Sequence, residues 1–430
     1  MNKIGIRHED KYTLERRTPV VPDDVRSLIK ESGIRLTVES SEKRIFSDAE
    51  YRDAGAEISD SLQKCDVIFG VKEMPENYFR PYKVYVFFSH VIKGQPYNMT
   101  MLRNLMNSGS TLIDYEKIED EKERRLIFFG EYAGLAGMIN SLWSVGQRYK
   151  ELGIDNPFTN LKQAYRYNSL EEAKEDIRKV GEVIANNGLP DEMTPLVIAV
   201  TGDGNVSRGA LDILNLVPGK EVTAEQLQTK SYPKDEPVIK VNILPQDYMV
   251  HKQGEEFDLW HYIDHPELYR SVIEDLLPEI NVFVNGIYWD DRYPKLIKKS
   301  WLKKMHQSGE LKLTVIGDIT CDVHGSVECT EKATEIEDPV FVYNPANDDF
   351  EMGFAGEGVA VMAVDILPSE LPREASEHFS SALKPFMKPV ADADFSKPFS
   401  ELQLPEPLKK ATIVYRGELT PEYEYLRDFL

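Results

Sequence analysis

A glycine-rich turn in the middle of the chain, Gly-Asp-Gly at residues 202–204, constrains the fold more than any other feature of the sequence. It follows the apolar, β-branched run Leu196–Thr201, and a helical pattern begins at Ser207. A strand, such a turn and a helix in this order are typical of a dinucleotide-binding unit, because the free N–H groups of the helix N-terminus bind a pyrophosphate. Gly209 comes later than the third glycine of the common GxGxxG pattern. A turn that binds no ligand is therefore the alternative.

The composition of the 430-residue chain excludes several classes of function. Its 73 acidic and 51 basic residues give a net charge of −22, which disfavours binding to nucleic acid or to an anionic membrane. The sequence has no apolar stretch of about 20 residues that could span a membrane, and its N-terminus does not resemble a secretory signal. Three cysteines without metal-ligand spacing predict reduced thiols, a cytoplasmic protein and no metal site.

The first 130 residues alternate short apolar strands with helical patterns, which predicts a mostly parallel sheet with helices on its faces. The functional edge of such a sheet lies at the carboxyl ends of its strands. The predicted strands are Ile4–Ile6, 35–38, 67–71, 84–88 and Thr111–Asp114, and the predicted helices are Pro22–Ser32, 48–54 and 99–106.

A second domain is predicted after a helix at 133–152, whose Gly134 and Gly137 permit close backbone contact. The Pro-, Asp- and Lys-rich segment 230–262 is interpreted as an excursion from the Rossmann plan, and a helix at 371–387 as the return to the first domain. We therefore expect a substrate domain at 1–135 plus 376–430 and a dinucleotide-binding domain at 136–375. The other predicted elements of the second domain are a helix at 170–185 and strands at 281–284, 313–316 and 340–342.

Polar and titratable side chains follow the first, third, fourth and fifth predicted strands of the first domain. They include Arg17, Lys72, Glu73, His90 and Glu116. Each of them alone is typical of a solvated or capping side chain, but together they gather charges and an imidazole at one sheet edge. These residue types support carbonyl–amine condensation and hydride transfer, since lysine and histidine move protons and arginine binds carboxylates.

Several segments together resemble the lysine-ketoglutarate reductase domain of bifunctional aminoadipic semialdehyde synthases, a relative of saccharopine dehydrogenase and of alanine dehydrogenase. The resemblance extends from Ile4 to about Phe386 and implies an α/β fold with two Rossmann-like domains, parallel sheets and an active-site cleft between the domains. The segments are ERRTPVVP, GVKEMPE, FFSHVIKGQ, LIDYEKIED, FGEYAGLAGMIN, TGDGNVSRGA, NGIYW, GDITCDVHGS and LPSELPREASEHF.

The resemblance also implies roles for individual residues. Lys72 and His90 match the acid–base pair of the family. The substrate-side positions correspond to Arg17, Glu73, Glu116 and Arg125. Cofactor contacts are implied for Gly202, Gly204, Asn205, Val206, Gly209, Ile287, Tyr288 and Asp318. Taken alone, the aspartate in GDITCDVHG is equally typical of ordinary loop capping.

The activity implied by the resemblance is the reductive condensation of L-lysine with 2-oxoglutarate to saccharopine. One alternative is an NAD-dependent saccharopine dehydrogenase that forms lysine, and another is an amino acid dehydrogenase similar to alanine dehydrogenase. A non-catalytic nucleotide-binding protein is the remote alternative. Because the chain ends at Leu430, we expect either a separate saccharopine-cleaving enzyme as a partner or an enzyme that catalyses only the first step, and the oligomeric state stays open.

The expected cofactor is NADPH, with NAD as the alternative. NAD-specific sites place an acid at the end of the second strand, about 20 residues after the first glycine. Thr223 is the first plausible strand-end residue in this sequence, and Lys230 and Lys234 follow it. A neutral side chain followed by lysines favours a 2′-phosphate over a free 2′-hydroxyl. If NAD is used instead, Glu221 or Glu225 becomes the ribose ligand.

Overall fold

The computed structural model describes all 430 residues and divides them into two compact units. Unit 1 comprises Met1–Phe129 and Pro372–Leu430, and unit 2 comprises Gly130–Leu371. A helix begins at each of the two crossing points, so the borders precede residues 136 and 376 by a few residues. The whole crossover helix therefore belongs to unit 2.

The first part of unit 1 alternates strands and helices as the apolar pattern predicts. Three of the predicted elements have the predicted bounds, and the short strand β3 is an addition. The elements are β1 (Ile4–Ile6), α1 (Pro22–Ser32), β2 (Leu36–Glu39), α2 (Asp48–Asp53), β3 (Glu57–Ser59), β4 (Val67–Phe69), β5 (Val84–Phe87), α3 (Pro96–Asn107) and β6 (Thr111–Asp114).

Unit 2 begins with a long helix and contains ten strands. The elements are α4 (Gly130–Glu151), α5 (Leu170–Asn187), β7 (Leu196–Thr201), α6 (Asn205–Leu214), β8 (Lys220–Val222), α7 (Ala224–Gln228), β9 (Val238–Ile243), α8 (Pro245–Tyr248), β10 (Met249–His251), α9 (Leu259–Asp264), β11 (Tyr269–Ser271), β12 (Val282–Asn285), α10 (Lys299–Ser308), β13 (Val315–Asp318), β14 (Val340–Asn344), β15 (Asp349–Met352) and β16 (Val359–Met362).

The chain then returns to unit 1, as the helical pattern at 371–387 predicts. The returning helix packs against α1, and two further strands extend the first sheet. The elements are α11 (Pro372–Asp392), α12 (Glu406–Lys410), β17 (Thr412–Tyr415) and β18 (Glu418–Leu419).

Each unit is built around an eight-stranded sheet. The strand order is β18-β17-β6-β5-β4-β1-β2-β3 in unit 1 and β15-β14-β16-β13-β12-β7-β9-β8 in unit 2. The six strands from β6 to β3 and the six from β16 to β8 are parallel, whereas β17, β18, β14 and β15 are antiparallel to their neighbours. The predicted α/β class is thus confirmed, with a mixed edge on each sheet.

The order of the strands reverses at β1 in unit 1 and at β7 in unit 2. From β1 the chain continues to β2 and β3 on one side, and then to β4, β5 and β6 on the other. From β7 it continues first to β8 and β9, and later to β12, β13 and β16. A parallel sheet opens a crevice at such a reversal, next to the carboxyl ends of its strands.

The interpretation of 230–262 as an excursion is wrong for β9. This strand lies inside the segment and pairs in parallel with β7 along its full length, so it is a central strand of the sheet. The strand is only six residues long, contains Lys240 and Asn242, and is flanked by prolines and charged residues, so the sequence shows no clear apolar run there. The excursion proper is the antiparallel pair β10–β11, which forms a separate two-stranded sheet.

Close contact between α4 and α6 depends on glycine in both helices. A Cβ atom at Gly134 would overlap the backbone carbonyl of Val206, and one at Gly209 would overlap that of Glu131. The predicted role of Gly134 in close backbone contact is therefore confirmed. No helix in the protein combines the length and the apolar character that crossing a bilayer requires.

One buried carboxyl links α4 to the segment that precedes α11. Glu370 is 1% exposed, and its carboxyl oxygens accept hydrogen bonds from the Asn140 amide at 2.7 Å and the Tyr165 backbone N–H at 3.1 Å. Burial raises the pKa of Glu370 to about 8, although both hydrogen bonds oppose this rise. This carboxyl therefore binds a proton at neutral pH.

We expect the thermal stability of the protein to fall between pH 5 and pH 8 and to level off above that range. The folded-state pKa of Glu370 lies above its usual value of 4.5, so the stabilisation present at low pH is lost progressively as the pH rises to about 8. The loss should be on the order of a few kcal/mol. In E370Q, whose amide cannot ionise, the melting temperature measured by calorimetry should depend less on pH. An equally steep fall in wild type and variant would contradict this explanation.

Candidate active site

The polar side chains predicted from the sequence meet at one edge of the sheet in unit 1. Lys72 and Glu73 follow β4, His90 follows β5, and Glu116 follows β6. These strands are parallel neighbours, so their carboxyl ends lie at the same edge, beside the reversal at β1.

Glu73 is shared by a histidine and a lysine. Its Oε1 atom lies 2.7 Å from Nδ1 of His90 and 2.7 Å from Nζ of Lys11. Burial alone would raise the pKa of Glu73, but His90 and Lys11 outweigh burial and lower that pKa to about 2. The carboxylate therefore stays ionised across the neutral range. Its Oε2 atom is buried and has no hydrogen-bond partner.

The backbone around His90 fixes the direction of the imidazole. His90 has a φ of +49°, in the left-handed region that non-glycine residues rarely occupy. The side-chain amide of Asn98 donates to the carbonyls of Ser89 and His90 at 3.1 and 3.2 Å. The ring also stacks on Phe88, with 6.1 Å between the centroids. Strain held in place by surrounding contacts is common at functional sites.

Lys72 lies in a loop that a second buried carboxyl holds in place. Glu9 accepts hydrogen bonds from the backbone N–H groups of Val71 at 2.7 Å and Lys72 at 2.9 Å. Burial and then the charge of Glu15 raise the pKa of Glu9 to about 7. Glu15 in turn lies within electrostatic reach of the Lys72 ammonium.

Arg17 lies inside unit 1 in this structure rather than at the surface. Its guanidinium donates to Glu15, from Nε to Oε1 at 2.8 Å and from Nη2 to Oε2 at 2.5 Å. It also lies 4.3 Å above the centroid of the Phe129 ring. Burial would raise the pKa of Glu15, but Arg17 and then Lys72 lower it overall. A substrate carboxylate would compete with Glu15 for this guanidinium.

The two other substrate-side residues predicted from the sequence form an ion pair with each other. Nη2 of Arg125 lies 2.5 Å from Oε1 of Glu116. The neighbouring carboxyl of Asp114 accepts hydrogen bonds from the backbone N–H and the hydroxyl of Ser89. Burial and then the charge of Glu116 raise the pKa of Asp114 to about 6. The edge therefore carries several carboxyl groups with different proton affinities.

A cavity of about 400 Å³ opens beside Lys11 and Glu73, between the loop that follows β4 and the start of α3. Its volume falls within the range of small-molecule sites. Lys11 and Glu9 were missed by sequence reasoning. The sequence does carry a signal for them, the run of charged residues directly after β1. This run lies just before the segment that contains the predicted Arg17.

The glycine-rich turn of unit 2 connects β7 to α6 as predicted. Gly202 has a φ of +90°, and a Cβ atom there would lie 2.9 Å from the Ser207 hydroxyl oxygen, which donates to the Thr201 carbonyl at 2.7 Å. Gly204 is the N-cap of α6 and provides no side-chain cap. A Cβ atom on it would meet no other atom within 4 Å, so the helix N-terminus is open to a ligand.

Of the other predicted cofactor residues of unit 2, some lie at the glycine-rich turn and others lie away from it. Ile287 lies beside the turn, with its Cγ2 atom 3.2 Å from a Cβ built on Gly202, and Tyr288 is 68% exposed. Asn205 and Val206 form the first turn of α6. Gly209, by contrast, lies within α6 and packs against α4.

Asp318 ends β13 in the interior of unit 2. It is 1% exposed and accepts hydrogen bonds from Thr330 at 2.5 Å and from the Asn285 amide at 2.8 Å. Burial raises the pKa of Asp318 to about 6, although these hydrogen bonds oppose the rise. In this arrangement its carboxyl holds the ends of β12 and β13 together.

The strand order overturns the sequence argument for cofactor choice. Thr223 follows the edge strand β8, whereas the strand next to β7 is β9, which ends at Ile243. The Thr223 hydroxyl caps α7 by accepting from the N–H of Gln226 at 3.1 Å. Lys230 and Lys234 lie 2.8 and 3.6 Å from the Glu279 carboxylate, so neither is the free cation that the argument required.

Comparison with known families agrees with this architecture. The model of the N-terminal domain of alanine dehydrogenase/PNT matches residues 5–136, and the model of the C-terminal domain matches residues 239–422. The protein belongs to the alanine dehydrogenase/PNT family.

Relatives by sequence fall into two groups. The chain is 40% identical to α-aminoadipic semialdehyde synthase of Arabidopsis thaliana over 98% of its own length and 41% of that protein. It is 32% identical to the mitochondrial synthase of Mus musculus over 99% of its length and 47% of that protein. The chain thus spans less than half of these relatives. Identity to saccharopine dehydrogenase [NAD(+), L-lysine-forming] of Candida glabrata is 29%, over 90% of this chain and 91% of that protein.

Solved structures show the same fold. An L-alanine dehydrogenase matches the full length of both chains with a TM-score of 0.63 at 19% identity. The transhydrogenase from Sinorhizobium meliloti matches 97% of this chain and 99% of its own with a TM-score of 0.57 at 14% identity.

We expect Gly204→Val to abolish dinucleotide binding while the protein stays folded. Gly204 has an ordinary extended backbone, and its missing Cβ points into open space, so valine causes no internal clash. The added methyl groups would cover the N–H groups at the start of α6. Fluorescence titration with NADH and NADPH should show no saturable binding in the concentration range that saturates the wild type. The exposed control Thr229→Val should bind as the wild type does, and unchanged affinity in G204V would rule out this turn as the binding site.

Proposed function

We propose that the protein is an oxidoreductase that condenses L-lysine with 2-oxoglutarate and reduces the product to saccharopine with NADPH. The observation that carries the proposal is the Glu73 carboxylate, which stays ionised beside His90 and Lys11 and keeps one buried oxygen without a partner. Such a group binds an amine while the adjacent imidazole moves protons. The names of the semialdehyde synthases and saccharopine dehydrogenases among the relatives support this chemistry.

The charges at the sheet edge suit substrates that carry several amines and carboxylates. Glu73 and Glu116 would accept hydrogen bonds from the two amino groups of lysine. Arg17 and Arg125 would bind carboxylates once these displace Glu15 and Glu116 from them. A small apolar amino acid such as alanine would leave most of these charges unpaired, which argues against an alanine dehydrogenase.

Two side chains are assigned to proton transfer. The ε-amine of lysine forms a bond to the ketone carbon, and the ketone oxygen takes up protons and leaves as water. Lys72 and His90 would supply and remove these protons, since both groups follow neighbouring strands at the same edge. Glu73 would stabilise the imidazole when it carries a proton. Positioning of the two substrates would supply much of the rate enhancement.

The dinucleotide is assigned to unit 2 and the substrates to unit 1. The open N-terminus of α6, the Gly202 turn and Ile287 fit a pyrophosphate and a nicotinamide ribose. When bound, the reduced nicotinamide supplies the hydride that converts the imine to the secondary amine. The three cysteines are free thiols, which agrees with the reducing environment of the cytoplasm.

A second candidate is the NAD-dependent saccharopine dehydrogenase that forms lysine. Its support is the presence of saccharopine dehydrogenases [NAD(+), L-lysine-forming] among the relatives, such as the Candida glabrata enzyme, which is 29% identical over 90% of this chain. The two candidates share substrates and differ in cofactor and in direction.

The test is product formation by wild type and two site variants. With lysine and 2-oxoglutarate, the wild type should oxidise NADPH and form saccharopine, identified by mass spectrometry. His90→Ala and Lys72→Met should lower turnover by roughly 10²–10⁴, the usual range for general acid–base groups, with little change in cofactor affinity. Alanine or pyruvate with ammonia should give no turnover.

The matched control is Lys30→Met, which removes an exposed lysine from the last turn of α1. It should have wild-type activity. Saccharopine-dependent reduction of NAD with negligible NADPH oxidation would favour the second candidate. Full turnover in H90A would show that the imidazole is not part of the catalytic machinery.

A further inference from the structure

The strand that the sequence conceals, β9, lines a second cavity in unit 2. This cavity has a volume of about 470 Å³, within the range of small-molecule sites. Lys240 of β9 lines it and is only 7% exposed, yet its ammonium makes no hydrogen bond and no ion pair within 4 Å. Burial lowers the pKa of Lys240, and the charge of Glu221 only partly offsets this effect. A half-buried ammonium without an ion pair would be stabilised by an anionic ligand.

The cavity lies on the side of the sheet where a dinucleotide places its adenosine. Strand β9 is the neighbour of β7, on the same side of the reversal as β8. The cavity reaches the ends of both strands at Val222 and Leu244. It also contacts Leu211 and Leu214 of α6, the helix that begins at the glycine-rich turn. In dinucleotide-binding sheets the 2′ position of the adenosine ribose is read at the end of this neighbouring strand. Lys240 is the third of the six residues of β9 and pairs in register with Glu221, one residue before β8 ends.

The charges around the cavity differ between its interior and its rim. Two carboxylates, Glu221 and Asp247, line it as exposed residues, and Asp247 accepts a hydrogen bond from the Leu244 N–H at 2.7 Å. Solvent screens these rim charges, whereas the Lys240 ammonium is half-buried. The Oδ1 atom of Asn242, on the same strand, is also buried without a partner.

We propose that Lys240 binds the 2′-phosphate of NADPH and sets the preference for NADPH over NADH. This inference rests on the proposed dinucleotide site of unit 2. The phosphate oxygens would accept the hydrogen bonds that the ammonium does not make within the protein. The free 2′-hydroxyl of NADH would leave the ammonium without a counter-charge. Lys240 thus replaces Thr223, Lys230 and Lys234 as the determinant of cofactor choice.

The test is calorimetric titration with two fragments, adenosine 2′,5′-bisphosphate and adenosine 5′-monophosphate. The wild type should bind the bisphosphate at least about tenfold more tightly. Lys240→Met should remove this difference, and Lys240→Arg should keep most of it. Glu221→Gln should tighten bisphosphate binding, because it removes a repelling charge. Lys220→Met, which removes an exposed lysine from β8, should have no effect. In steady-state assays K240M should raise the KM for NADPH by about 10–100-fold and leave that for NADH unchanged.

Equal binding of the two fragments by the wild type would overturn the proposal, as would an equal loss for both fragments in K240M. If K240M fails to fold, loss of selectivity in K240R together with no gain in E221Q would overturn it. Failure of the proposed function would give a different experimental result. A protein that selects the bisphosphate through Lys240 but does not condense lysine with 2-oxoglutarate retains this site and loses only the assigned reaction.

Discussion

The carboxylate of Glu73 is the interaction on which the candidate site depends. It is buried at the carboxyl end of β4, where burial alone would favour its protonated form. Contacts with His90 and Lys11 reverse this effect and hold a negative charge at the sheet edge. That negative charge favours the binding of cationic groups at this edge.

Both units use the same geometric rule to bring distant residues together. In unit 1 the reversal at β1 places the loops after β1, β4 and β5 side by side, so Lys11, Glu73 and His90 meet although 79 positions separate the first from the last. In unit 2 the reversal at β7 brings Ile287, after β12, to the turn at Gly202. Parallel sheets with helices on their faces produce such edges from purely local strand and helix signals.

Local patterns in the sequence therefore predicted much of the fold but not the strand order. The strand Leu196–Thr201, its glycine-rich turn and the edge positions of Lys72 and His90 follow from apolar runs and their ends. Residue spacing alone could not show that β9 lies between β7 and β8. Because of this strand order, Thr223 follows an edge strand instead of the strand next to β7. The pairing of Arg17 with Glu15 depends on burial, which the sequence does not display. Lys11 was missed because its loop carries no motif.

The most direct test of the central claim compares turnover in Glu73→Gln and Glu73→Asp. Glu73→Gln keeps the size of the side chain but removes the charge that His90 and Lys11 stabilise, so turnover in the proposed reaction should fall by roughly 10²–10⁴. Glu73→Asp keeps the charge and should retain much more activity than E73Q. The exposed control Glu31→Gln should have wild-type activity. Wild-type turnover in E73Q, or an equal loss in E73Q and E73D, would contradict the claim that the site depends on the Glu73 charge.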